Sequence, residues 1–156
     1  MAPDLPSGSP RDDLFAVGGE AGRIMAAVDW SSSPVGPVEG WSASFRHAVR
    51  TVLVSRFPMV LTWGPDYLQF YNDAYIPLIG AKHPTAMGRD IRVTQSESWE
   101  ALRPPIEHAM TTLEASWLPD LLLPLERAGF LEEAYFTVSH APALGDDGRV
   151  AGMHAV

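Results

Sequence analysis

The side chains best suited to hold a metal or move a proton near neutral pH are five histidines, His47, His83, His108, His140 and His154. They stand 36, 25, 32 and 14 residues apart, and no two have the close spacing of a local metal-binding motif. The sequence contains no Cys, which removes thiolate nucleophiles, disulfides, and zinc-cysteine and iron-sulfur sites. Flavin photochemistry through a cysteinyl adduct goes with them. The neighbouring acids Glu132-Glu133 and Asp146-Asp147 do not make an acid-base pair, because adjacent residues on a strand face opposite sides and acids in a turn are solvated. The glycine-rich Gly18 to Gly22 has no strand before it and no Gly-Lys-Ser or Gly-Lys-Thr after it, so it is not a phosphate loop. No Gly-x-Ser-x-Gly elbow and no kinase nucleotide motif occurs. What remains is a set of aromatics, Trp63, Tyr71, Tyr75, Trp99, Trp117, Tyr135 and Phe136, which could line a ligand cavity and are equally the ordinary filling of a small core. This chemistry suits binding, not catalysis.

The bulk properties agree. A chain of 156 residues with 46% hydrophobic and 19% charged residues allows one domain with a modest extension and supplies ample core. A net charge of -8 has the wrong sign for a nucleic acid or an anionic membrane surface. No stretch approaches the roughly 18 apolar residues of a membrane span, and the opening MAPDLPSGSPRDD has no signal-peptide core, so a cytoplasmic location is expected.

Several elements can be read from pattern. Residues 1–19, with Pro3, Pro6, Gly8 and Pro10, are expected to be a loose, disordered tail. Residues 20–56 carry two amphipathic helices: Ile24, Met25 and Val28 recur at helical spacing, and Phe45, Ala48, Val49, Val52 and Leu53 form a second stripe. From residue 57 the texture changes. Met59 to Trp63 and Tyr67 to Tyr71, joined by Gly64-Pro65-Asp66, predict a β-hairpin. Asn72 and Asp73 are N-cap residues for a short helix ending at Gly80. Loop and single turns follow over Lys82 to Glu97, then a helix near Ser98 to Arg103 and another opened by Pro105. On the latter, Ile106, Ala109, Met110 and Leu113 share a side while His108 lies roughly 200° away. The Leu-rich Ser116 to Arg127, cut by Pro119 and Pro124, suits an edge or bulged strand. Leu131 to His140 is a strand that separates Tyr135, Thr137 and Ser139 from Phe136, Val138 and His140. After the turn at Gly145 to Gly148, Arg149 to Val156 is the last strand.

This β-β-α-α-α-β-β-β order is that of an α+β fold, and it resembles a PAS sensor domain. DWSSSPVGPVEGW at Asp29 to Trp41, SRFPMVLTWGPD at Ser55 to Asp66, YNDAYIPLIGAKHPTAMGR at Tyr71 to Arg89 and ERAGFLEEAYFTVSHAPALGDDGRVAG at Glu126 to Gly152 are similar to the N-terminal region of bacterial PAS-containing sensor histidine kinases. Where that group shows an acidic, Trp-Pro-containing segment after Gly88, VTQSESW stands at Val93 to Trp99.

The resemblance implies a five-stranded antiparallel sheet with short helices over one face, N-terminal flanking helices, and a small cavity under the short helices. The PAS core would span residues 57–156 and continue into a downstream effector, most simply a histidine kinase. The residues expected to line the cavity are Trp63, Tyr71, Tyr75, Trp99, Met110, Trp117, Phe136, Val138 and His140. Some PAS sensors hold haem through a His on the helix before the late strands, here His108, but its angle puts it on the solvated side. No catalytic residue, metal or specific cofactor is assigned. The function implied is a non-catalytic sensory module that binds a small ligand or partner and regulates a downstream kinase, as a homodimer paired through the flanking helices. The alternative is a ligand-free dimerisation or interaction module.

Overall fold

The C-terminal strands β3 (Ser116–Glu126), β4 (Leu131–Leu144) and β5 (Val150–Ala155) form an antiparallel meander, and the hairpin of β1 (Val60–Trp63) and β2 (Leu68–Tyr71) joins the free edge of β5. The resulting five-stranded sheet has the order β2-β1-β5-β4-β3 and is antiparallel throughout. The computed structural model describes the backbone from Pro10 to Val156 and the side chains from Asp13 onward. Register is fixed tightly at the centre, where a Cβ on Gly152 would stand 2.3 Å from the Thr62 carbonyl oxygen, so β1 and β5 can approach only with glycine there.

Both faces of the sheet carry helices, from different parts of the chain, though the outer face of β3 and β4 is left uncovered. On the outer face lie α1 (Pro10–Phe15), α2 (Gly19–Ala27) and α3 (Ala43–Val54). Their aromatics mesh with those of the hairpin: Phe45 stacks on Trp63 at 4.7 Å and Trp30 on Phe70 at 5.2 Å, while Trp41 meets Trp30 edge-on at 5.3 Å. The Trp30 and Trp41 indole N–H groups donate to the carbonyls of Met25 and Gly36, so neither is buried unpaired. On the inner face lie α4 (Ile76–Ile79), α5 (Ile91–Thr94) and α6 (Trp99–Thr111).

Asn72 joins the two halves at the end of β2. Its Oδ1 accepts from the Met59 and Tyr75 N–H groups, and its Nδ2 donates to the Ser55 and Phe57 carbonyls. The residue is 1% exposed, and its one amide serves four backbone groups of the α3–β1 connection and of the turn before α4; of these, the Tyr75 N–H also reaches the Asn72 carbonyl at 3.0 Å.

Several expectations are corrected. Residues 1–9 of the expected tail lie outside the described residues, but from Pro10 the chain is helical and Leu14 and Phe15 are buried, because they complete the apolar cover of α2 and α3. The two helices expected around Pro105 are one, α6, which runs through Pro104 and Pro105; proline's fixed φ is helical, and burial of Ile106 and Ala109 against the sheet offsets the lost backbone hydrogen bonds. Because α6 ends at Thr111, Leu113 leaves the apolar stripe and is exposed. The stripe Phe45, Ala48, Val49, Val52, Leu53 is buried within the chain, so α3 does not offer it to a second copy. The β3 expectation holds: it pairs only with β4, and its register shifts between Leu118 and Leu121, where Asp120 takes a φ of +53°.

Candidate functional site

Between the inner face of the sheet and α4 to α6 lies a cavity of about 300 Å³. Strand alternation decides which sheet residues reach it. Val60 of β1, Phe136, Val138 and His140 of β4, and Met153 and Ala155 of β5 share the inner face, as the pairings His140 with Ala155 and Val60 with Ala155 require. The helices close it with Ile79, Ile91, Leu102 and Ile106. Leu102 and Ile106 are one turn apart on α6, and the helix turns its apolar stripe to the cavity.

Five residues with polar side chains interrupt this surface: Tyr75, Gln95, Ser98, Thr137 and His140. Ser98 Oγ donates to the Pro124 carbonyl, tying the start of α6 to β3. Gln95 Oε1 accepts from Lys82 Nζ at 3.2 Å, and the same ammonium pairs with Glu97. Burial works against ionisation of Glu97, but hydrogen bonds from Lys82 and from the Glu126 N–H prevail and hold its carboxyl below the usual range. Burial pushes the Tyr75 phenol up, with Gln95 acting the other way.

His140 stands apart. It is 1% exposed, its Nδ1 meets no hydrogen-bond partner, and burial alone lowers its pKa to about 4, so the ring is neutral at pH 7.

Of the nine residues expected to line the cavity, Tyr75, Phe136, Val138 and His140 do so. Trp63 is corrected to the outer face, stacked on Phe45, since β1 alternation sends Val60 inward and Trp63 outward. Tyr71 is buried one layer behind Tyr75, ring to ring at 5.6 Å. Its Oη and His83 Nδ1 share a hydrogen bond of 2.9 Å, and His83 Nε2 lies 3.1 Å from Glu20 Oε1 of α2. Trp99 packs beside Tyr67 at 6.2 Å, and Met110 reaches Thr62 Oγ1 with its sulfur at 3.9 Å; neither enters the cavity. Trp117 points out from the opposite face of β3, 67% exposed. His108 lies on the outer side of α6 with Nε2 3.6 Å from Glu114.

Among the lining residues missed by pattern are Val60, Ile79, Ile91, Gln95, Ser98, Leu102, Ile106 and Met153. Leu102 precedes Ile106 by one helical turn and was findable had α6 been read as continuous. Gln95 and Ser98 sit in short turns where no periodicity exists to assign a face.

No protein-family model matches the chain, and no curated protein matches it. Solved structures do. The crystal structure of a Rhodobacter sphaeroides LOV protein aligns with 72% of this chain and 64% of its own length at 17% identity and a TM-score of 0.53. That of a sensory box sensor histidine kinase from Vibrio cholerae aligns with 72% of this chain and 87% of its own at 18% identity, with a TM-score of 0.48. This chain therefore has the α+β fold of PAS and LOV domains.

The flavin that a LOV fold brings to mind does not match these residues. There is no Cys for an adduct, the one lining amide, Gln95, is engaged by Lys82, and no cationic side chain lines the cavity to meet a phosphate. Among the described residues no three of His, Asp and Glu form a group that could hold a metal ion.

Proposed function

We propose that this chain is a non-catalytic sensory module whose inner cavity binds a small molecule and whose strand β5 and N-terminal helices report its occupancy to a downstream effector. The observation that carries this reading is the apolar cavity of about 300 Å³ closed by α4 to α6 around His140, a buried polar side chain with an unpartnered nitrogen. Two routes leave the cavity. β5 lines it with Met153 and Ala155 and leads to the last residue, Val156. Tyr75 leads through Tyr71 and His83 to Glu20 on α2. A ligand that prefers one packing of these elements shifts the population seen by whatever follows. The motif resemblance makes that effector a histidine kinase, in a cytoplasmic protein. Among the described residues no helix is long and apolar enough to cross a membrane.

The test is a thermal-shift screen of neutral and charged metabolites on the wild-type chain and on Val138→Phe, which fills the cavity. Ligands that stabilise the wild type in proportion to saturation and leave Val138→Phe unmoved support the reading. Equal responses of both proteins to every compound contradict it.

A second reading, an interaction module, is favoured by one feature. The outer face of the β3–β4 hairpin, which α1 to α3 leave bare, exposes Trp117, Leu122, Leu131 and Tyr135. A homodimer of this protein would pair through that face, since the stripe on α3 is already buried.

A further inference from the structure

The cavity is chemically one-sided. None of its lining side chains is Asp, Glu, Lys or Arg, so a carboxylate, phosphate or ammonium placed there would be desolvated with no opposite charge to meet it. Beside His140, its polar residues are few: Ser98 Oγ donates to the Pro124 carbonyl, the Gln95 carbonyl accepts from Lys82, and Tyr75 and Thr137 carry hydroxyls. His140 itself is 1% exposed, with Nδ1 sealed from solvent and unpartnered. Burial keeps this imidazole neutral, so it carries one N–H and one lone pair. An orphaned buried N–H is rarer than an orphaned acceptor, which puts the lone pair on Nδ1 and the proton on Nε2. His140 lines the cavity, and in this tautomer the one N–H its ring can offer there is Nε2–H.

We propose that the cavity takes a small, uncharged, largely apolar molecule carrying one hydrogen-bond acceptor, such as a ketone, ester or ether oxygen, and that His140 is the residue that selects the acceptor. The inference rests on the cavity being a ligand site and adds the class of ligand. Size is consistent with it: about 300 Å³ lies at the lower end of ligand cavities. So is the wall, whose branched aliphatics and Phe136 offer broad apolar contact and no fixed charge; the other buried donor there is the Tyr75 phenol, which lies against Gln95.

Three probes of matched shape separate the possibilities on the full 156-residue chain: benzophenone (neutral, one carbonyl), diphenylmethane (the same rings, no acceptor) and 4-benzoylbenzoate (the same ketone with a carboxylate). Dissociation constants come from NMR titration, and the ¹⁵N shifts of the His140 imidazole are followed in parallel. The expected result is that benzophenone binds about tenfold tighter than diphenylmethane, the value of one buried hydrogen bond, that 4-benzoylbenzoate binds weakest, and that the Nε2 resonance of His140 moves only with benzophenone. In His140→Leu the two neutral probes should bind equally, while Gln95→Leu should leave their ratio as it is.

Tighter binding of 4-benzoylbenzoate, or a preference for benzophenone that survives His140→Leu, overturns the ligand class and leaves the cavity as a site. Absence of binding by all three overturns the class and the cavity reading together. Should His140→Leu fail to fold, the wild-type ¹⁵N shift decides alone, and no Nε2 change on saturation with benzophenone refutes the proposal.

Discussion

His140 is where this protein sets a polar group into an apolar wall without a partner, and that choice has a stability signature. A buried group left unsatisfied costs more than its apolar replacement, so His140→Leu should raise unfolding stability at pH 7 by about 1 kcal/mol, read by chemical denaturation. The pH dependence follows from the direction of its shift. The folded imidazole titrates at about 4 against an ordinary 6.5, so between these values the unfolded chain binds more protons. The fold is therefore most stable above pH 6.5, where both states carry a neutral ring, and it loses roughly 3 kcal/mol as pH falls from 6.5 toward 4. His154 is shifted the same way, by burial and then by the nearby His47, so the wild-type slope contains both. The difference between wild type and His140→Leu isolates the first, and identical slopes would show that His140 protonates freely in the native state. The alternation of Leu131 to His140 grouped His140 with Phe136 and Val138. Only the pairing of β4 with β5 shows that this group faces inward.

At the scale of elements, the hairpin and the first turn after it hang on Asn72. Asn72→Ala removes four side-chain hydrogen bonds and strands the buried Met59 N–H, so it should destabilise the fold by about 2–4 kcal/mol. A urea midpoint within error of the wild type would mean that water replaces the amide. Asp73, beside it, accepts from the Glu20 and Ala21 N–H groups at 3.1 and 2.7 Å and so caps α2 from another element. Asp73→Ala should cost about 1 kcal/mol and raise hydrogen exchange locally, in α2. Unchanged α2 protection would contradict that role.

Elements marked by residue chemistry were legible in the sequence: α3 with its stripe, β1 and β2 around Gly64-Pro65-Asp66, and the proline-cut edge strand β3. The continuous α6 was not, because Pro104 and Pro105 read locally as a break and only the buried Ile106 and Ala109 hold the helix together. Likewise α1 looks like tail, since its two apolar residues gain meaning only against α2 and α3.

On the scale of the whole molecule, one sheet carries an aromatic layer over the outer face of β1 and β2 and, on its inner face, a helical layer with a cavity beneath it. The element order along the chain and the α+β class were legible because turn chemistry and period-two runs mark the strands, whereas the pairing of β1 with β5 joins distant segments that no local pattern links. The division of aromatics between the faces was not, since Trp63, Trp99 and Trp117 look alike as composition and occupy three different surroundings. The bare outer face of β3–β4 makes a prediction at this scale. The wild type should run as a dimer at high micromolar concentration in light scattering, and the double change Trp117→Ser, Tyr135→Ser should make it monomeric without lowering Tm. A wild-type monomer, or a dimer untouched by the double change, would remove that face as the pairing surface.

The central claim is that the layer under α4 to α6 is a binding site. The most direct measurement is native mass spectrometry of the wild-type chain and of Val138→Phe after incubation with a small-molecule extract. The expected result is a discrete added mass on the wild type that is lost on denaturation and absent from Val138→Phe. Bare-mass spectra for both proteins, or the same adduct on both, would contradict it.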